Sequence, residues 1–265
     1  MTKSKIEKII IHSKSLDREM TILVYLPSDY DEKESLSTLY FLHGRSGDEN
    51  ILINADLNTV TDRLIENNEI DSMIIVCPNI KNGRGLNSSL NCKDVKDLFG
   101  RVINIGMYED YFINEVIPMI DIRYKTIKNR NGRFIGGISA GGYSALHNGF
   151  RHPELFSKIG GHMPAIELKL EEEDKAYFQN QDNWEKYDPI KIAEQMKCTN
   201  LKVYLDAGDK DERAFYDGCS ILNKILKRKG IDSQNYVYEG HHNIEYIKSN
   251  IEKYMLFYGN KNPTA

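Results

Sequence analysis

The pentapeptide Gly137-Ile-Ser139-Ala-Gly141 reads G-x-S-x-G, and an apolar run ends directly before it while a helix-period pattern begins directly after. A nucleophile elbow needs this setting, because small residues at 137 and 141 let the chain turn sharply and lift the Ser139 hydroxyl above a sheet edge at a helix N-terminus. The dipole of that helix favours negative charge developing there. Serine is a weak nucleophile, so a base must accompany it, and in this arrangement a carboxylate and then a histidine follow it along the chain. The segment Leu201-Lys-Val-Tyr-Leu-Asp-Ala-Gly-Asp-Lys-Asp211 is an apolar strand running into a polar turn, and Asp206, Asp209 and Asp211 all compete to orient an imidazole. Asp211 lies farthest beyond the strand, where a loop can reach across, and ranks ahead of Asp209. Gly240-His241-His242-Asn243 follows the last strand and leads into the terminal helix, so one of the two histidines is expected to be the base. Nothing nearby completes a metal-ligand set around the pair, and no metal is expected. His12, His147, His152 and His162 lack such a setting and are expected to be structural or exposed.

An oxyanion formed during acyl transfer needs backbone donors, one from the residue after the nucleophile and one from the loop after an early strand. These are Ala140 and the turn His43-Gly44-Arg45, where the glycine can present the Arg45 N–H.

The elements that would hold these residues follow from periodicity. Ile6 to Ile11 and Met20 to Leu26, separated by a polar stretch, read as two antiparallel strands. Thr38 to Leu42, Met73 to Cys77, Arg133 to Ile138, Ser157 to Gly161, Leu201 to Leu205 and Gln234 to Tyr238 read as buried central strands. Between them Ala55 to Asn67, Tyr108 to Ile122, Gly142 to Arg151, Pro189 to Met196, Arg213 to Lys229 and His242 to Tyr258 carry helix-period patterns. The alternation marks an α/β fold with a mostly parallel sheet. Two stretches interrupt it. Asn79 to Met107 is rich in Gly, Asn and Ser, and His162 to Asp188 contains the acidic run Glu171 to Asp174 and the one tryptophan, Trp184. Long ordered loops are usually functional, so the second is read as a lid or cap, although an acidic run is more often a solvated helix face. Trp184 and Leu86 become candidate pocket walls.

Composition narrows the alternatives. The chain has 265 residues, 40% hydrophobic and 28% charged, which excludes disorder as a global description. Its formal charge of −4 gives no basic field for a phosphate backbone, so no nucleic-acid partner is expected. No apolar stretch approaches the roughly 20 residues that span a bilayer, and the start is too short in apolar residues for a secretory signal. Cys77, Cys92, Cys198 and Cys219 show neither C-x-x-C nor zinc-type spacing, and reduced thiols in a cytoplasm are the expectation.

Taken together, Tyr40-Phe-Leu-His-Gly44, Tyr108 to Pro118, Gly136-Gly-Ile-Ser-Ala-Gly-Gly142, His152-Pro-Glu-Leu-Phe156, Gly208-Asp-Lys-Asp211 and Gly240-His-His242 resemble the Putative esterase, or esterase D-like, family of α/β-hydrolases. Its relatives include S-formylglutathione hydrolases, feruloyl esterases and mycolyltransferases. The resemblance runs from about Lys5 to Tyr258 by the element reading. It implies an α/β-hydrolase fold with a mostly parallel central sheet, antiparallel N-terminal strands and helices on both faces. The family's G-x-x-D pattern falls on Gly208 to Asp211 and supports Asp211. Its G-x-H pattern, with an aromatic four residues after the histidine, falls on Gly240, His242 and Tyr246 and supports His242 over His241. The early donor falls on Arg45. Departures are Ala140 where many members have Met, His162-Met-Pro164 in place of small residues, and Asn87-Ser-Ser-Leu90 in place of a more aromatic stretch; the last two bear on substrate.

The expectation is one domain over 1–265 with a lid or cap at 162–188, working as a serine carboxylic-ester hydrolase on a small-molecule ester without a cofactor. The readings beside it are an S-formylglutathione-type thioesterase, an acyltransferase, and a catalytically inactive binding protein on the same fold. Self-association is left open.

Overall fold

Alternating apolar side chains determine the frame. In the strand Ser37–Leu42, Leu39 and Phe41 enter one buried cluster while Tyr40 and Leu42 enter another. Ile75 and Cys77 divide from Ile74 and Val76 in the same way. A strand apolar on both faces has to lie in a sheet covered on both sides. The computed structural model, which describes residues 3–197 and 200–259, has such a sheet.

The strands are β1 (Lys5–Ser13), β2 (Arg18–Leu26), β3 (Ser37–Leu42), β4 (Met73–Pro78), β5 (Lys93–Lys96), β6 (Val102–Ile105), β7 (Arg133–Ile138), β8 (Lys158–His162), β9 (Lys202–Gly208) and β10 (Asp232–Tyr238). Eight of them form one sheet in the order β1-β2-β4-β3-β7-β8-β9-β10. β1 and β2 are antiparallel to each other and β2 to β4; from β4 across to β10 all pairs are parallel. β5 and β6 make a separate antiparallel pair.

The helices are α1 (Ile51–Asn54), α2 (Leu57–Glu66), α3 (Tyr108–Asp110), α4 (Ile117–Arg123), α5 (Ala140–Arg151), α6 (Lys175–Phe178), α7 (Gln181–Tyr187), α8 (Pro189–Gln195), α9 (Phe215–Arg228) and α10 (Ile244–Gly259). α4, α5, α8 and α9 cover one face, contributing Ile120, Leu146, Ala193 and Leu222 to its core. α1, α2 and α10 cover the other through Leu52, Leu64 and Ile251. The mostly parallel sheet, its antiparallel start and the helices on both faces are as the sequence leads one to expect.

Several boundaries differ for local reasons. The pattern over 55–67 corresponds to α2, and a short α1 precedes it, the two separated at Asp56, which adopts φ 58°. The run from Tyr108 is one helical path, but Tyr111–Val116 is π-helical; Pro118, just beyond, has no N–H with which to continue the ordinary ladder. α9 begins at Phe215 because Ala214 sits at φ 52°, and it ends before Gly230 at φ 75° with Lys227 and Arg228 in its last turn, where cations complement the helix dipole. Gln234 to Tyr238, expected among the buried central strands, is instead at the sheet's edge. With β9 as its one neighbour, β10 leaves Val237 54% exposed.

The two irregular stretches have structure of their own and pack on each other. Residues 79–107 contain the β5–β6 hairpin, and 162–188 contain α6 and α7. Leu86, Ile103, Tyr143, Phe178, Trp184 and Phe215 form a third apolar cluster joining them to the body. The acidic run is solvated only in its first half: Glu172 is exposed, whereas Glu173 and Asp174 are buried. Arg45 pairs with both, at 3.2 Å and 3.0 Å, and Arg84 lies 2.8 Å from Asp174. Arg101 and Arg213 also reach Glu173. Four guanidinium groups explain why carboxylates can be buried here.

Among the described residues Cys77, Cys92 and Cys219 are free thiols; Cys198 lies outside the described residues. No described helix is long and apolar enough to cross a membrane.

Candidate active site

Ser139 stands between β7 and α5 with φ 52° and ψ −118°, a conformation that L-residues rarely adopt and that a surrounding frame must hold. Three backbone hydrogen bonds supply the frame. The Ser139 N–H donates to the His162 carbonyl at 3.0 Å, and the Ser139 carbonyl accepts from Tyr143 at 2.9 Å and Ala165 at 3.0 Å. The glycines of the pentapeptide permit the approach. A Cβ on Gly141 would lie 2.3 Å from the Leu42 carbonyl oxygen and 2.4 Å from that of His43, and one on Gly137 would meet Gly141 itself at 2.5 Å. Only hydrogen at these positions lets α5 begin directly against the end of β3.

The His242 Nε2 lies 2.9 Å from Ser139 Oγ, and its Nδ1 lies 2.8 Å from Asp211 Oδ2. With the carboxylate accepting at Nδ1–H, Nε2 is left as the acceptor for the serine hydroxyl. The ring is held sideways by Phe215, edge-on at 5.2 Å between centroids. Asp211 is buried, and its second oxygen accepts the Arg213 N–H at 2.8 Å. The other candidates go elsewhere. Asp209 is exposed and accepts the Gly240 N–H at 2.9 Å. His241 points outward to Glu212 at 2.7 Å. Asp206 is fully buried beneath the site, where it accepts from His162, Tyr246 and Tyr254.

The turn His43-Gly44-Arg45 lies against the serine, since a Cβ on Gly44 would be 3.3 Å from the Ser139 Cβ. Among the described residues, no acceptor is found for the backbone N–H of Arg45 or of Ala140. His43 deserves more notice than its sequence position suggests. It is buried, its Nε2 accepts the Ile80 N–H at 3.0 Å, and its Nδ1–H donates to the Gly44 carbonyl at 2.8 Å. Burial pushes its pKa down, so the imidazole is neutral and pins the turn. The one sequence signal for it was its place at the strand end before a glycine.

An open depression of about 810 Å³ adjoins the serine, lined by Gly44, Arg45, Ile138, Ile244 and Lys248 among others. Leu86 and Trp184, expected as pocket walls, are not on that surface. They are 0% and 4% exposed inside the third cluster, so they pack behind Tyr143 and Phe215 rather than facing a ligand. The His162 ring likewise turns away from the open side, stacked on Tyr254 at 3.6 Å between centroids. His147 and His152 bind Glu109, and His12 is a surface residue beside Asp17. No cluster of three metal-ligating side chains occurs among the described residues.

The sequence profile of the Putative esterase family matches residues 13–257. The chain belongs to that family. Relatives of several kinds are similar to it. An acetyl esterase of Caldicellulosiruptor saccharolyticus is 31% identical over 163 residues, which are 58% of this chain and 54% of that protein; the match spans about half of its length. The uncharacterised YjcH of Bacillus subtilis is 24% identical over 250 residues, 88% of this chain and 89% of its own. Among solved structures, a ferulic acid esterase superposes with a TM-score of 0.79 at 23% identity, covering 97% of both chains. An S-formylglutathione hydrolase of Staphylococcus aureus superposes with a TM-score of 0.77 at 19% identity, covering 97% and 99%. At these identities the superpositions establish the α/β-hydrolase fold of the family.

Proposed function

We propose that this member of the family is a serine carboxylic-ester hydrolase that works through an acyl-enzyme on Ser139. The observation that carries the reading is the continuous hydrogen-bonded chain from Ser139 Oγ through His242 to the buried Asp211, at 2.9 Å and 2.8 Å. In this mechanism His242 Nε2 takes the hydroxyl proton as Oγ attacks the ester carbonyl, and Asp211 holds the tautomer and stabilises the imidazolium. Charge then gathers on the former carbonyl oxygen, and the N–H groups of Ala140 and Arg45 receive it at the start of α5. His242 returns the proton to the leaving alcohol. Water, deprotonated by the same imidazole, attacks the acyl group and frees Ser139.

The chain acts as one domain over 1–265 with 162–188 as its cap, and the substrate is a small ester with a short acyl group. Support for the short acyl group comes from the filled cluster around Tyr143, one helical turn from Ser139, and from the acetyl esterase named among its relatives. A thioester of the S-formylglutathione type is the second reading, suggested by the superposition on the S-formylglutathione hydrolase.

Ser139→Ala decides the main reading. It should reduce hydrolysis of acetyl and butyryl esters by about 10⁴ or more while leaving the circular dichroism spectrum unchanged, and it should abolish labelling by a fluorophosphonate. Retained turnover in that variant would refute the assignment. S-formylglutathione and a feruloyl ester in the same assay separate the two substrate readings.

A further inference from the structure

Directly beneath the proposed triad lies a second polar cluster, none of whose members touches the open side. Asp206 and His162 are 0% exposed, Tyr254 is 0%, Tyr258 1% and Tyr246 3%. Asp206 Oδ1 lies 2.9 Å from His162 Nδ1, and its Oδ2 accepts the hydroxyls of Tyr246 and Tyr254, each at 2.7 Å. Tyr258 closes the group at 3.0 Å from His162 Nε2. Burial and the neighbouring Asp206 push the Tyr246 and Tyr254 hydroxyls well up, so both remain donors.

We propose that Asp206, through His162, Tyr246 and Tyr254, is a positioning centre that sets the separation of His242 from Ser139. The inference rests on the ester-hydrolase reading and adds residues to it. Its basis is connectivity. His162 faces Asp206 across β8 and β9, and the His162 carbonyl is what holds the Ser139 N–H. Tyr246 lies in the first turn of α10, four residues after His242, so the helix that follows the base is tied to the same carboxylate. β9 itself runs on into the turn that carries Asp211. One side chain therefore touches the supports of all three proposed catalytic residues. Energetics point the same way. A buried carboxylate costs more than an apolar residue of similar volume unless several donors surround it, and stability alone would be served by the cheaper choice. Charge-assisted bonds of this kind are short and directional, which suits fixing a distance.

Asp206→Asn could fail to fold, so the test uses Tyr246→Phe, Tyr254→Phe and the double variant, which keep the rings. Tyr25→Phe serves as a control, because it also removes a buried hydroxyl bond, to Asp62 at 2.6 Å, on a strand remote from Ser139. The double variant should lose kcat on an acetyl ester by about 10- to 100-fold, the usual result of a misplaced group, with KM within about twofold. Fluorophosphonate labelling of Ser139 should slow by a similar factor. Tyr25→Phe should lower Tm and leave kcat unchanged. If wild type is active, Ser139→Ala is dead and the folded double variant keeps its kcat, the positioning role is overturned while the ester-hydrolase reading stands. An equal loss of kcat in Tyr25→Phe would also overturn it, by making the effect a general one of stability. Activity persisting in Ser139→Ala overturns both.

Discussion

Asp209 and Asp211 stand two positions apart and hold different things: one an exposed backbone N–H, the other an imidazole. Asp211→Asn should therefore cost about 10⁴ in turnover, because an amide favours the wrong tautomer of its partner, whereas Asp209→Asn should fall within about tenfold, as expected for a loop contact. His242→Ala should abolish turnover and His241→Ala should not; rate measurements on the four variants check the assignment, and a reversed order within either pair would move it. Much of this was legible in the chain, because a strand, a tight turn and a serine between glycines admit few arrangements. The choice within each pair was not, since adjacent residues on one loop differ only in direction. Family spacing pointed to His242 and Asp211, whose Nδ1 and Oδ2 lie 2.8 Å apart. The His162 and Asp206 pairing was hidden altogether, because it needs two strands in register.

At the level of elements, periodicity was a good guide wherever an element lies between two apolar layers, as β3 and β4 do. It misled at β10, whose apolar residues suit a core but whose outer side has no neighbouring strand among the described residues. It was silent on residues 79–107 and 162–188, where the order comes from contacts between distant positions such as Arg45 and Asp174, 129 residues apart. Trp184 illustrates the consequence, since a lone tryptophan in a polar stretch resembles a ligand contact and is in fact a buried anchor. Trp184→Ala should cost about 3–5 kcal/mol and Leu86→Ala about 2–5 kcal/mol by leaving cavities in a filled cluster. Denaturant unfolding measures this, and a change in acyl preference without loss of stability would restore both residues to a pocket wall.

For the molecule as a whole, pH should act on stability from both sides through two buried carboxylates. Burial raises Glu109, but hydrogen bonds from His147 and His152 and the charge of Arg151 outweigh it and hold the group well below the usual range. Its contribution is present above the unfolded value of about 4.3 and is lost as pH falls below it. Glu167 is the opposite case. Burial pushes it up to about 8 against the pull of Arg84, so its contribution is present in acid and is lost as pH rises toward that value. In melting curves between about pH 3 and pH 9, Glu109→Gln should flatten the acid limb and Glu167→Gln the alkaline limb, and an unaltered alkaline slope in the second would contradict the assignment. The arginine and carboxylate set around Glu173 has a further consequence for anyone recombining this enzyme with its relatives. Arg45 comes from the turn after β3, Arg84 and Arg101 from one insertion, Glu167, Glu173 and Asp174 from another, and Arg213 from the loop beyond Asp211. A chimera that exchanges one of these segments can unpair the buried Arg84, Glu173 or Asp174 carried by another, a loss of about 3–5 kcal/mol for a buried pair and about 0–1 kcal/mol for those made by the exposed Arg101 and Arg213, so the segments are best exchanged as a matched set.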